Sequence, residues 1–101
     1  MEVPDNWVVL HLQIEGLYKV LCGWSGGYLD GDRWRMNSGI KSITEDDKAY
    51  YITGFSGSVY KCWKDQEVLR MNCAHVYDKI IKENPSIKIV PISEIIDIFK
   101  D

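Results

Sequence analysis

The hydrophobic residues of this 101-residue chain change their spacing once, at Leu69, and that change limits what the chain can fold into. Before it, apolar positions recur mostly at every second residue. After it they follow Leu69, Cys73, Val76, Tyr77, Ile80 and Ile81, a spacing of three or four. A period of two belongs to strands and a period of 3.6 to an amphipathic helix. The chain therefore reads as a run of strands followed by helix, the order of an α+β domain.

Residues 7–14, WVVLHLQI, put Val8, Leu10, Leu12 and Ile14 on one face and Trp7, Val9, His11 and Gln13 on the other. Glu15-Gly16 supplies a turn, and residues 17–24 return as an antiparallel partner. Residues 32–37, DRWRMN, alternate Arg33, Arg35 and Asn37 against Trp34 and Met36, a third strand with one charged face and one apolar face. Residues 40–43 extend the sheet, and the acidic run Glu45-Asp46-Asp47 marks a solvated turn. Residues 49–55 and 58–63 form two further strands joined by a turn at Ser56-Gly57. Asn84-Pro85 stops the helix, residues 87–90 make a short strand, and Ser93-Glu94 start a last helical turn carrying Ile95, Ile96 and Phe99. The expectation is one domain over residues 1–101. It is a mainly antiparallel sheet of about five strands, with the amphipathic helix and the short C-terminal strand and helix on one face.

With 46% hydrophobic and 27% charged residues, the composition is that of a folded chain. A net charge of -3 with no long basic block argues against general nucleic-acid binding, whose affinity comes from Lys and Arg on phosphates. Cys22, Cys62 and Cys73 form no CxxC pair and read as reduced thiols of a cytoplasmic protein. The opening MEVPDNW lacks the regions of a signal peptide, and no apolar run reaches the ~20 residues of a membrane span. Cys73 and His75 stand two apart on the helix, about 200° around it, so they do not share a ligand site. No other grouping has metal-ligand spacing, and neither a metal nor a cofactor is expected.

The stretch GWSGGYLDGDRWR, residues 23–35, packs four glycines, two tryptophans, a tyrosine and two arginines together. Its start satisfies the G-x-S-x-G pattern of a hydrolase nucleophile elbow, but an elbow needs a helix after the serine, and here the chain runs on to another strand. With two histidines in the chain, no base, nucleophile and orienting group assemble, so an enzyme is not expected. Neither a Walker loop nor GxGxxG occurs. Two readings of the stretch remain open. In one, Trp24, Tyr28 and Trp34 stack on a base, Arg33 and Arg35 hold phosphate, and amides beside Gly26 and Gly27 cradle an anion. In the other, the aromatics merely cover a hairpin end and the arginines line an exposed strand face. Gly54-Phe55-Ser56-Gly57 echoes Gly23-Trp24-Ser25-Gly26, and a pseudo-repeat would set Ser25, Ser56, Gly57 and Ser58 around one pocket.

On Trp24, Gly26 to Leu29, Asp32, Trp34, Arg35, Asn37 to Ile40, Ser56 to Tyr60 and Cys62, the pattern WxGGYL…DxWRxNSGI…SGSVYxC resembles small uncharacterised proteins encoded by bacteriophages and prophages. The resemblance covers the middle of the chain and leaves out the helix. It implies a compact protein of the host cytoplasm that counters a host defence or enzyme by binding, in some cases by sequestering cyclic nucleotides. The expected partner is a nucleotide-like small molecule held by Trp24, Ser25, Gly26, Gly27, Tyr28, Arg33, Trp34, Arg35, Ser56, Gly57 and Ser58. The alternative is a host protein docked on an exposed aromatic and arginine patch, and an open sheet edge also admits self-association.

Overall fold

A computed structural model describes residues 1–26 and 33–100. The class is α+β, as the change of period predicts, with seven strands among the described residues where about five were expected. The strands are β1 (Asn6–Leu12), β2 (Leu17–Trp24), β3 (Arg33–Met36), β4 (Ile40–Glu45), β5 (Ala49–Gly54), β6 (Val59–Trp63) and β7 (Ile87–Val90). A short 3-10 turn, Lys64–Gln66, precedes helix α1 (Met71–Glu83), and helix α2 (Ile92–Phe99) ends the chain. The strands form two antiparallel sheets, ordered β3-β2-β1-β7 and β4-β5-β6.

The β1–β2 hairpin closes at Leu12 opposite Leu17, with Gly16 at φ 68° in the turn between them. Ile14, expected on the strand, lies in that turn and is 80% exposed. Strand β1 carries apolar residues on both faces, so the sheet around it has to be covered twice. On one side Val8, Leu10, Leu12, Leu21 and Ile87 meet Cys73 and Val76 of α1. On the other, Trp7, Val9, Val20 and Cys22 meet Ile40, Ile43, Ile52, Tyr60 and Cys62 of the second sheet, joined by Ile92 and Ile95 of α2. The two helices therefore serve opposite faces of the four-stranded sheet, instead of sharing one. Each fully buried Leu, Ile or Val in these layers contributes about 1.5–3 kcal/mol of apolar burial.

The second sheet begins at β4 because the chain turns at Asn37–Gly39. Asn37 Oδ1 accepts the Val20 amide at 2.9 Å, ending β3 against β2. Gly39, at φ 138°, lies under the Phe55 ring, where a Cβ would come within 2.5 Å of it. Asp46 caps the β4–β5 hairpin: its carboxylate accepts the amides of Lys48 (2.9 Å) and Ala49 (2.8 Å) and the Tyr51 hydroxyl (2.7 Å).

Long-range bonds lock the layers. The N-terminal segment runs beside β6, with Glu2 N donating to Val59 O (3.0 Å) and Lys61 N donating to Glu2 O (2.8 Å). Trp7 Nε1 donates to Trp63 O at 2.8 Å. At the far end, Glu45 receives Lys64 and Lys100, each at 3.0 Å, and so ties the end of α2 to β4. No helix among the described residues is long and apolar enough to cross a membrane.

Candidate docking site

Antiparallel pairing sets Cys22 opposite Arg35, Gly23 opposite Trp34 and Trp24 opposite Arg33. Residues directly opposite share a face, and successive residues alternate, so β3 splits the predicted ligand cradle in two. Arg33 and Arg35 lie with Trp24 on the side of the second sheet. Trp34 and Met36 lie on the side of α1.

On the first side the guanidinium of Arg33 sits 4.7 Å over the Trp24 ring, and Trp24 Nε1 donates to Val3 O at 3.0 Å. The Ser25 amide donates to Asp5 Oδ2 at 2.8 Å. Arg35 Nη1 approaches Glu2 Oε1 at 3.4 Å, an exposed pair of small energetic weight. Burial raises the phenol of Tyr60, opposed by its hydrogen bond with Arg35. Just inside, a hydrogen bond with Cys62, reinforced by burial, pushes the Cys22 thiol well above its ordinary range. All three cysteines are buried, which makes them poor nucleophiles.

Gly23 follows from packing. A Cβ there would lie 2.5 Å from Asn72 Oδ1. Asn72 is held by a reciprocal amide pair, Asn6 Nδ2 donating to Asn72 Oδ1 (3.1 Å) and Asn72 Nδ2 to Asn6 Oδ1 (2.7 Å), both residues buried. This pair fixes the first turn of α1 on the sheet.

The echo at residues 54–58 forms a turn of its own, with Gly57 at φ 93° donating to Gly54 O (3.0 Å) and Gly54 N donating to Ser58 O (2.9 Å). The Ser56 amide donates to Ser38 Oγ at 3.1 Å, so Ser56, Gly57 and Ser58 belong to the end that packs on residues 37–39. Gly27 and Tyr28 lie outside the described residues. Of the expected ligand residues, the structure brings together Trp24, Arg33 and Arg35 on one face, places Trp34 on the other, and sets Ser25 beside Leu69, Arg70 and Asn72 at the start of α1.

Trp34, 48% exposed, overlooks a concavity of about 410 Å³ between β3 and α1, lined by Met36, His75, Val76, Lys79, Ile80 and Glu83. The helix supplies it with two stripes at i, i+4 spacing: Val76 and Ile80 as floor, His75, Lys79 and Glu83 as rim. Sequence reasoning named Trp34 and missed its surroundings. The available signal was the alternation of Trp34 and Met36, which assigns both to one face, and the helix stripe beside the buried Cys73 and Val76. His11 lies on the other side, stacked on Tyr18 with ring centroids 4.3 Å apart.

Strand β3 is one edge of its sheet, β7 the other. The Asn37 amide donates to Val20 O at 3.1 Å, so by alternation the peptide groups of Arg35 point to β2 and those of Trp34 and Met36 point outward. Among the described residues nothing pairs with that outer edge. In comparisons with protein families, curated proteins and solved structures, nothing matches the chain.

Proposed function

We propose that the chain is a non-enzymatic binding module that docks a protein partner through the β3–α1 face. The observation that carries the reading is Trp34, half exposed on an edge strand over an apolar groove with a charged rim. Tryptophan and arginine are the residue types enriched at binding hot spots, and both stand on this strand. By its resemblance to phage-encoded proteins, the partner is a host protein.

Nucleotide capture is the second reading, supported by Arg33 over Trp24 beside Ser25 and Gly26. Trp34 contributes nothing to such a site, since it faces the other side of the sheet. The two readings separate in one experiment on immobilised protein in bacterial lysate. The expected result is one protein recovered at near-stoichiometric yield, lost with Trp34→Ala and retained with Lys41→Ala, a change at an exposed residue of β4. Equal recovery by Trp34→Ala would overturn the docking reading. A melting temperature raised several degrees by a nucleotide and lowered again in Arg35→Ala would replace it with the second.

A further inference from the structure

We infer that the partner docked on this face is an extended segment that adds to β3 as a further strand, with acidic side chains at alternate positions and apolar ones between them. The inference rests on the docking reading and gives the partner its chemistry.

Three features of β3 agree on it. Its outward peptide groups belong to Trp34 and Met36, and a free edge of N–H and C=O groups is a template for strand addition. The same two residues flank the groove, so every second side chain of an added strand falls beside Trp34 and Met36, over Val76 and Ile80. The intervening side chains fall on the opposite face, level with Arg33 and Arg35.

Charge then selects among strands. Both arginines are exposed, and among the described residues Arg33 forms no ion pair. Arg35 holds Glu2 only through a solvent-exposed contact of 3.4 Å, which an incoming carboxylate exchanges at little cost. A second copy of the chain is disfavoured by the same logic. An antiparallel β3–β3 pair that keeps its faces in register through Trp34 opposite Trp34 sets Arg33 directly opposite Arg35 twice, and like charges across a strand pair are destabilising. Glu83 does not oppose an acidic strand, because it lies on the groove side and the carboxylates lie on the other.

The test is a titration of the full chain, followed by amide NMR, with a synthetic ten-residue peptide alternating Glu with Val and Leu. Two control peptides carry Lys for Glu, or N-methyl groups on the amides that would face β3. The expected result is movement of the Trp34 and Met36 amides by the acidic peptide and roughly tenfold weaker binding of the basic one. The N-methylated peptide should not bind, and the Arg33→Glu, Arg35→Glu double variant should prefer the basic peptide. Equal binding of acidic and basic peptides, binding that survives N-methylation, or no binding at all would overturn the inference. So would a concentration-dependent dimer that buries the same two amides. These outcomes leave the docking reading standing wherever Trp34→Ala still abolishes capture of the lysate partner; loss of that effect is what removes the docking reading itself.

Discussion

A Cβ at position 23 would meet Asn72 Oδ1 at 2.5 Å, and Asn72 has little freedom to yield because its amide is closed on Asn6. Gly23→Ala should therefore cost about 1–3 kcal/mol by overpacking, lowering the melting temperature by roughly 4–8 °C per kcal/mol. Asn72→Ala should cost about 1–3 kcal/mol for a different reason, since Asn6 Oδ1 is left buried without its donor while Asn6 Nδ2 keeps a bond of 3.4 Å to Val68 O. In the double variant the new methyl no longer meets an amide, so the combined loss should fall short of the sum by ~1 kcal/mol or more. Denaturant melts of the four proteins measure this, and strictly additive losses would contradict it. The sequence shows Gly23 only as the first glycine of a G-x-S-x-G pattern. Its packing partner stands on a helix far along the chain, and no local pattern reports a contact of that kind.

Helix α2 begins at Ile92, whose amide donates to Glu67 Oε2 at 2.8 Å. Burial raises the Glu67 carboxyl above its ordinary value, and the bond from Ile92 only partly opposes it. The folded chain then holds this proton more tightly than the unfolded chain, so the stability it contributes is present at low pH and is lost as pH rises through the folded value. Asp46 acts with the opposite sign. Its hydrogen bonds from Tyr51, Lys48 and Ala49 lower its carboxyl from 3.8 to about 2, so its contribution is present above 3.8 and is lost as pH falls toward 2. A melting profile against pH should accordingly rise between about 2 and 4 and decline above the ordinary carboxylate range. Asp46→Asn should flatten the acid limb and Glu67→Gln the upper one. A Glu67→Gln variant whose upper limb is unchanged would contradict the assignment. Most elements were legible because alternation and helical spacing report which residues share a face. Their grouping into two sheets was not, since Ile40–Glu45 carries the same pattern whichever sheet it joins.

At the scale of the molecule, the four-stranded sheet is covered on one side by α1 and on the other by the second sheet and α2, and among the described residues the β3 edge is a place where backbone and apolar side chains meet solvent together. Trp34 and Arg35 were legible as candidate binding residues from their type. That they belong to opposite faces follows from the same alternation, but the groove needed α1 to be placed beside β3, and its residues lie some forty positions away in the chain. Among the described residues this edge is open, and native-state hydrogen exchange read residue by residue along β3, on the protein alone, reports whether it is. An open edge predicts an alternation, with the amides of Arg35 and Asn37 protected through their bonds to β2 and those of Trp34 and Met36 exchanging close to the rate of free peptide. Protection of Trp34 and Met36 equal to that of their neighbours would mean that the edge is already covered, and would contradict it.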